Sequence, residues 1–492
     1  MYEKTSRKYE NSGYSHHGAS RSKPSMLRWI STSKSPHEDI SENAELLRER
    51  SRDLYAGGGP LGRGAVDRLI LNAIGSGLRL NVRIDPERLR MTEEESRKWA
   101  AEVESQFDYW ASSKSADFTG RLNFYELQVL AFKSVLLDGE CLVNITYGHE
   151  LSNRYKTKIQ LIESDRLMTP VPRPLGAIID EGVEIDEYGT PLAYWISNRN
   201  PKAELINQPS QVKYARIEAK NPSCTHRILH IINPERINQN RGVPFLAPVI
   251  EQLKQLGRYT DAELMAAVIS GMYAVFFEHE FRPEGMIGEE QYASEEGLGH
   301  VEEDEREITQ EQMYGLVMDL PEGVKATSVS PSRPNTSFEA FVEALVRQIG
   351  GCLGIPSELL FLHFTASYSA SRGALLEAWK LFRYWREWFA VNFCQPVYEA
   401  WLEEAEFAGR IKARGYDDDY VRSLYTWSEW TGPSQGQLDP VKEVNAAVLR
   451  VKNGFSTHQR ETAELTGGDY DLNMKQLQRE MKLRNVPDKE RE

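Results

Sequence analysis

One segment separates two stretches of sequence that have the pattern of long helices: Gly354-Ile-Pro-Ser-Glu-Leu-Leu-Phe-Leu-His-Phe-Thr-Ala-Ser-Tyr-Ser-Ala-Ser-Arg-Gly-Ala374. Glycine favours a helix end, and the residue before a proline is disfavoured in helical conformation, so Gly354-Ile-Pro356 predicts a break. Residues 361–370 then combine aromatic and hydroxyl side chains without helical periodicity. We therefore expect a loop here, followed by a new helix from Ser371 to about Phe407.

The chain before this segment predicts a stalk. Phe338–Leu353 has the pattern of one helix, and Pro248–Phe277 has the pattern of a longer one, about 45 Å at 1.5 Å per residue. Between them, residues 278–311 are strongly acidic and contain glycines that interrupt any helix. Two long helices bracketing an acidic insertion suggest a protruding stalk with a small tip.

The first half of the chain has a mixed α/β pattern after an N-terminal arm (1–40) of mildly basic composition. Thr92-Glu-Glu-Glu95 has the form of a capping box before an amphipathic helix. A second helix runs from about Phe124 to Leu137 and stops at Asp138-Gly139, and residues 55–64 are expected to form a loop. The predicted strands are 141–147, 158–162, 182–185, 191–196 and 227–232.

Composition limits the classes of protein to consider. At 492 residues, two or three packed units are expected, and 40 % apolar with 27 % charged residues is ordinary for a globular protein. No apolar run approaches the ~18 residues of a membrane span, and the N-terminus lacks a secretory signal, so we expect a cytoplasmic protein or an assembly built in the cytoplasm. The net charge is −14, and an acidic protein that meets DNA is expected to let it slide and not to hold it, but this charge by itself does not indicate a DNA partner.

The residues that could take part in catalysis or metal binding do not form a recognisable active site in the sequence. The four cysteines are far apart and predict free buried thiols, without zinc or disulfides. The glycine-rich segment 57–64 lacks the Lys-Ser/Thr of a phosphate loop. Glu163 and Asp165 follow a strand and could bind a metal, but no third ligand stands at a useful spacing. Trp379, Trp385, Trp388 and Trp401 could stack on bases, although at helical spacing they more often belong to a core.

Considered together, these segments resemble the lambda-type portal proteins of tailed phages. The matching pieces, in chain order, are 67–77, 138–143, 161–167, 182–194, 241–249, 354–360 with 368–374, Trp430-Thr-Gly-Pro433, 439–443 and 453–457. Each piece is short, but their collinear order covers the chain from about residue 50 to 480. The resemblance rests on that order.

The resemblance implies an α+β portal fold with no cofactor and no metal. Its parts would be a flexible arm (1–45), an α/β wing (46–243), a stem helix (244–277), a small α/β clip insertion (278–335) and a second stem helix (336–353). A tunnel loop (354–370), a long helix at the base of the wing and crown (371–430) and a helical C-terminal crown (431–492) would follow.

The resemblance also implies a function without catalysis. Portal subunits form a ring, usually a dodecamer, at one vertex of the virion capsid, through which double-stranded DNA is packaged and ejected. Expected partners are the terminase large subunit, major capsid and scaffold proteins and a head-tail connector or adaptor, with no membrane, and assembly would take place in the host bacterial cytoplasm. The residues expected to line the channel are His363, Phe364, Thr365, Ser367, Tyr368, Ser369 and Arg372. The residues expected to dock terminase or connector are Glu289, Glu290, Glu302, Glu303 and Glu305.

Two other classes of protein compete with this hypothesis. A metal-dependent nuclease or hydrolase would use Glu163 and Asp165. A capsid or scaffold component without a channel would form sheets or shells in place of a closed ring. The stalk with its acidic insertion favours the portal hypothesis over both.

Overall fold

The computed structural model describes residues 19–20, 23–27, 29, 34–57, 59–149, 153–198, 212–220, 227–271, 275–279, 324–328, 337–364, 367–436 and 439–484. The chain forms two compact units, each built from three segments. The first unit contains residues 1–50, 76–245 and 387–432, and the second contains 51–75, 246–386 and 433–492. The predicted wing of 46–243 is therefore divided, because residues 51–75 belong to the second unit.

The first unit is a mixture of helices and small antiparallel sheets. Its elements are α1 (Pro24–Leu27), α2 (Pro36–Asp39), the start of α3 (Ala44–Ala56), β1 (Arg79–Val82), α5 (Glu93–Ala111), α6 (Phe124–Asp138), β2 (Glu140–Tyr147), β3 (Thr157–Ile162), β4 (Ile178–Asp180), β5 (Val183–Ile185), β6 (Pro191–Ser197), β7 (Tyr214–Glu218), β8 (Ile228–Ile232), α11 (Gln395–Phe407), α12 (Asp419–Tyr425) and β11 (Ser428–Thr431). The strands form sheets of order β3-β2-β8, β4-β5-β6-β7 and β1-β11. The predicted helices and strands of this half are confirmed within a few residues.

Local sequence explains where the two central helices begin and end. Thr92 and Glu95 form the predicted capping box at the start of α5. Helix α6 ends at Gly139, which has a φ of +83°, a backbone conformation that favours glycine. Strand β2 follows at once and pairs with β3 on one side and β8 on the other.

An aromatic core joins α5, α6 and α11. Phe107 is 1 % exposed. Its ring lies 5.1–5.9 Å, centroid to centroid, from those of Trp110, Phe124, Tyr398, Trp401 and Trp430. Burial of such large rings supplies much of the stabilisation of a domain of this size. Trp401 and Trp385 are both buried, which confirms the core interpretation for these two tryptophans.

A buried ionic cluster surrounds Glu140 at the first residue of β2. Arg241 donates to the Glu140 carboxylate from Nε (3.0 Å) and Nη2 (2.5 Å). Arg48 Nη1, His230 Nε2 and the Gly242 N–H lie 3.3, 3.1 and 3.0 Å from the same carboxylate. Glu140 is fully buried, and burial opposes its ionisation, but Arg241 and His230 outweigh burial and hold the pKa of this carboxyl well below its ordinary value.

The second unit is mostly helical. Its elements are the end of α3, α4 (Pro60–Ala73), α7 (Ile250–Gly271), β9 (Val275–His279), β10 (Val324–Ser328), α8 (Phe338–Leu353), α9 (Ser357–Phe361), most of α10 (Tyr368–Phe389), α13 (Pro440–Lys452), α14 (His458–Thr466) and α15 (Tyr470–Arg484). Helices α7 and α8 contact each other, and the ring of Tyr259 stacks on that of Phe338 at 5.5 Å. Across the described parts of the chain, no helix is long and apolar enough to cross a membrane.

Several predicted boundaries were wrong. Residues 55–64 are not one loop: α3 extends to Ala56 and α4 begins at Pro60, because proline is well suited to the first turn of a helix. The predicted helix 248–277 ends at Gly271, and Val275–Phe277 lie in a strand. That β-branched and aromatic run pairs with β10, which short-range periodicity could not reveal.

The helix predicted from Ser371 to Phe407 is interrupted. Residues 390–394 form a π-helical turn between α10 and α11. Pro396 has no N–H to donate to the carbonyl four residues earlier, which accounts for a widened turn at this point. Cys141 and Cys394 are buried as expected, but Cys352 is exposed because its position on α8 faces away from the buried side of that helix.

The start of the chain is more ordered than a flexible arm to residue 45 would be. Ile40 and Ala44 are buried, and the Arg236 guanidinium binds both the Asp39 carboxylate (3.1 Å) and the Lys34 carbonyl (3.0 Å). Residues 34–45 therefore pack as part of the first unit.

Candidate functional site

The loop between α9 and α10, described at residues 362–364 and 367, is fixed at its N-terminal side by a compact turn. Gly354 ends α8 with a φ of +71°, and the Ile355 N–H donates to the Gly350 carbonyl at 2.9 Å. Ile355 is fully buried and Leu360 is 7 % exposed. Helix α9 contacts both α4 and α8, so the loop leaves a packed base.

The C-terminal side of the loop is fixed by α10. One side of this helix is buried, through Ala378, Phe382 and Trp385. Arg386 donates to three backbone carbonyls of the second unit: Nε to Ala73 (2.9 Å), and Nη2 to Asn72 (3.0 Å) and Pro433 (2.7 Å). These contacts hold the helix against the end of α4, because the last carbonyls of a helix have no partner within it.

The side chains that the structure describes between these two anchors are exposed or partly exposed. Phe361, Leu362 and Phe364 are 39, 56 and 48 % exposed, although each is large and apolar. His363, Ser367 and Ser369 are exposed as well, and Arg372 is partly exposed. The predicted channel residues His363, Phe364, Ser367, Ser369 and Arg372 thus all lie on or beside one exposed segment.

Two of the predicted channel residues have a different backbone environment from the one expected. Tyr368 and Ser369 lie in the first turn of α10 and not in the loop, because the helix begins three residues earlier than predicted. The Ser371 N–H donates to the Ser367 carbonyl at 2.9 Å, which places Ser367 at the helix start. Thr365 lies outside the described residues.

Two exposed apolar residues, Phe361 and Leu362, were not among the predicted site residues. Leu362 has a φ of +54°, an uncommon conformation for a branched side chain. The Leu362 and His363 N–H groups both donate to the Glu358 carbonyl, so the chain turns sharply away from α9. This turn at the end of α9 leaves the side chains of Phe361 and Leu362 exposed.

The loop and its flanking residues carry almost no charge. Between residues 359 and 376, Arg372 is the only Lys, Arg, Asp or Glu. Phosphate-binding surfaces depend on clustered Lys and Arg side chains, whose number sets the affinity for DNA. The loop therefore offers apolar contact and hydroxyl hydrogen bonds, without a set of cations that would grip a phosphate backbone.

The acidic insertion is described only at its base. Strand Val275–His279 pairs antiparallel with Val324–Ser328, so the chain leaves and returns at adjacent points. The predicted docking residues Glu289, Glu290, Glu302, Glu303 and Glu305 lie outside the described residues.

One of the two carboxylates proposed for the metal-dependent alternative, Asp165, is engaged in an ion pair. Asp165 Oδ1 accepts from Arg48 Nε at 3.1 Å, and both side chains are nearly buried. A cation at Asp165 would have to displace this guanidinium or share the carboxylate with it. Over the described residues, no group of three or more metal-binding side chains is found.

Comparison with known proteins defines the class. The model of a protein family described as "Phage portal protein, lambda family" matches residues 22–386 of this chain. Portal protein B of Escherichia phage lambda is 24 % identical over 487 residues, which cover 94 % of this chain and 88 % of that protein. The portal protein of Escherichia phage N15 is 25 % identical over 480 residues, with the same coverage. A solved structure titled as the neck of a native gene transfer agent particle is 14 % identical, with a TM-score of 0.42, and the match covers 86 % of this chain and 93 % of that one.

The class is thus a structural component of the phage capsid vertex, and it is not a class of enzymes. Within that class, the chain belongs to the lambda family of phage portal proteins. The nuclease alternative is excluded by this membership, and the portal-channel role of the family replaces the capsid or scaffold alternative.

Proposed function

We propose that this portal protein forms a closed ring, of twelve copies as is usual in the family, and that the exposed α9–α10 loop faces the axial channel. The observation that carries the proposal is the loop itself. Apart from His363, its described exposed side chains are apolar or hydroxylic, its two ends are anchored by buried residues, and it lacks clustered charge. Such a surface suits a conduit that must stay close to DNA without retaining it.

The mechanism that we propose is guidance and not catalysis. Double-stranded DNA would be moved by the ATPase of the terminase large subunit, and the loop would touch the duplex through weak contacts that do not depend on sequence. Weak, nearly uncharged contacts let the duplex pass in both directions, during packaging and during ejection. The net charge of −14 further disfavours tight binding of a polyanion.

Lysine substitution tests this assignment directly. Phe364→Lys and Ser367→Lys add cations to the loop and should slow packaging, with a defect that becomes smaller as salt screens phosphate contacts. Phe407→Lys is a matched control, since Phe407 is 90 % exposed at the end of α11. Alanine substitution across 363–369 should also alter packaging or DNA retention. If all loop variants form rings and package and retain DNA like the control, the loop does not line the channel.

Ring formation has its own measurement. Electron microscopy of the purified chain should show closed rings with an axial hole. If the chain alone is monomeric, rings should form when it is co-expressed with scaffold and major capsid protein. Filled particles or shells without a hole under both conditions would contradict the proposed channel.

We also propose that the acidic insertion docks the terminase and later the head-tail connector or adaptor. Its strands at the base bring the two ends of the insertion together, which supports a single protruding tip. Charge reversal of Glu302, Glu303 and Glu305 should weaken terminase binding through loss of attraction to basic surfaces. The matched control is a triple variant in which the charges of three exposed acidic residues of the first unit are reversed: Glu87, Glu187 and Glu235. Equal binding by both triple variants would count against the docking role.

The location that follows is the portal vertex of the virion. We propose that the ring is assembled in the host bacterial cytoplasm, together with scaffold and major capsid proteins. A pulse-labelling experiment should find the chain first in cytoplasmic procapsids and then in mature particles. Its presence in mature particles without passage through procapsids would contradict this order.

A further inference from the structure

We propose that His37 and Asp180 form a pH-sensitive latch, which holds residues 34–43 against the first unit and loosens as the pH rises. The latch joins two distant parts of the sequence, helix α2 and the end of strand β4. His37 Nδ1 lies 2.6 Å from Asp180 Oδ1. The Asp180 side chain is 11 % exposed, whereas that of His37 is 47 % exposed.

The contacts of Asp180 explain why the charge of His37 matters. Its second oxygen, Oδ2, accepts from two neutral donors, Asn240 Nδ2 (2.7 Å) and Ser41 Oγ (3.4 Å). Neutral donors solvate a buried carboxylate but do not neutralise it, and Arg241, whose charge also acts on Asp180, is bound to Glu140. A protonated His37 places a positive charge directly against this carboxylate, so the ion pair exists only while residues 34–43 are docked.

The other charges around the ring of His37 act in the same direction. Glu42 lies 3.9 Å from Nε2, and Glu181 follows Asp180 in the chain and adds a further negative charge. On the same segment, Glu38 is engaged in the capping box with Ser35.

A second contact holds the segment independently of pH in this range. The Arg236 guanidinium binds Asp39 and the Lys34 carbonyl, and arginine stays protonated at all physiological pH values. Deprotonation of His37 should therefore loosen the segment without freeing it completely.

The direction of the pH effect follows from linkage. The hydrogen bond to Asp180 raises the pKa of His37 above its ordinary value of 6.5, and burial opposes this only in part. A group whose pKa is raised by docking stabilises the docked state fully below about pH 6.5, and that stabilisation is lost as the pH rises through the docked pKa. Each unit of difference between the docked and free pKa changes the opening equilibrium about tenfold.

Hydrogen exchange of the full-length chain between pH 6 and pH 9 tests the latch. The reporters are the amides of Asp39, Ile40 and Asn43, which donate to the carbonyls of Ser35, Pro36 and Ile40. Their protection factors, corrected for the intrinsic pH dependence of exchange, should fall several-fold across this range. Amides of strand β2 serve as the internal reference and should show no such fall.

Two variants separate the latch from general loosening. His37→Gln keeps a hydrogen-bond donor but cannot titrate, so its protection factors should be independent of pH and near those of the wild type at high pH. Glu42→Gln removes a more distant, exposed carboxylate and should keep most of the pH dependence. A wild-type protection factor that is constant from pH 6 to 9 would overturn the proposal, and so would a His37→Gln variant with an undiminished fall.

Discussion

Replacement of Glu140 by glutamine should be among the most damaging single changes in the first unit. Glutamine has nearly the same shape, but it is neutral and presents an NH2 group where the carboxylate accepted hydrogen bonds. Arg241, 2 % exposed, would then remain as a buried cation that has lost the carboxylate charge, with the remaining amide oxygen and the carbonyls of Ser164, Leu167 and Glu181 as its acceptors.

The expected magnitude follows from the burial of the cluster. Removing one partner of a buried ion pair costs about 3–5 kcal/mol, because the other charge stays desolvated and uncompensated. Domains are stable by only about 5–15 kcal/mol, so this loss is a large fraction of the total. The exposed pair Arg83–Glu429 provides a matched control, since Glu429→Gln removes a carboxylate that is 65 % exposed and should cost within about 1 kcal/mol.

Native-state hydrogen exchange of the β2 amides in increasing urea would measure the free energy of unfolding of the first unit alone. The difference between wild type and Glu140→Gln should also depend on pH. The pKa of Glu140 is lowered by folding, so its stabilisation is present above the ordinary value of about 4.5 and is lost as the pH falls further. The gap between the two proteins should therefore narrow in acid.

Two results would refute this reasoning. The first is that, at neutral pH, Glu140→Gln lowers the free energy of unfolding by no more than Glu429→Gln does. The second is that Arg241→Met lowers the free energy of unfolding by the same amount in the wild type and in the Glu140→Gln variant. Two residues that form a buried pair must instead show a coupling energy in such a double-mutant cycle.

Three further predictions concern packing and hydrogen bonding. Phe107→Ala should destabilise the first unit by about 3–5 kcal/mol, measured by urea unfolding, since it removes the ring at the centre of the aromatic core; a cost below about 1 kcal/mol would contradict that role. Gly242→Ala should reduce the yield of folded protein far more than Gly436→Ala, because a Cβ at 242 would collide with the backbone of Gly139, whereas none of the structure lies within 4 Å of a Cβ at 436. Arg386→Met should cost about 2–4 kcal/mol by leaving carbonyls at the end of α4 unpaired, and should increase proteolysis near the loop; unchanged proteolysis would show that α10 is held by its apolar contacts alone.

Much of the local architecture could be predicted from the sequence, because its causes are local. The capping box at Thr92, the end of α6 at Gly139 and the alternating strands around residues 141–162 depend on side chains within a few positions of each other. The break at Gly354-Ile-Pro356 was predicted for the same reason, but the tunnel loop predicted over 354–370 also contains helix α9 and the first turn of α10. The collinear motifs also indicate the family, and the match to the lambda family of portal proteins confirms it.

The sequence could not predict features that depend on contacts between distant segments. The same apolar periodicity suits the end of a long helix or a strand, and only pairing with Val324–Ser328 made Val275–Phe277 a strand. Phe361 and Leu362 have the composition of a core, yet the turn at the end of α9 exposes them.

The sequence by itself therefore determined most of the elements of the first half of the chain, the break at Gly354-Ile-Pro356 and the family. The tertiary structure alone decided which charges meet at the start of β2. Arg48, Glu140 and the nearby residues His230 and Arg241 come from three separate parts of the chain. It also joined His37 to Asp180, a contact across 143 positions. A buried ion pair depends on the desolvation and geometry of both partners, and neither is encoded near either residue.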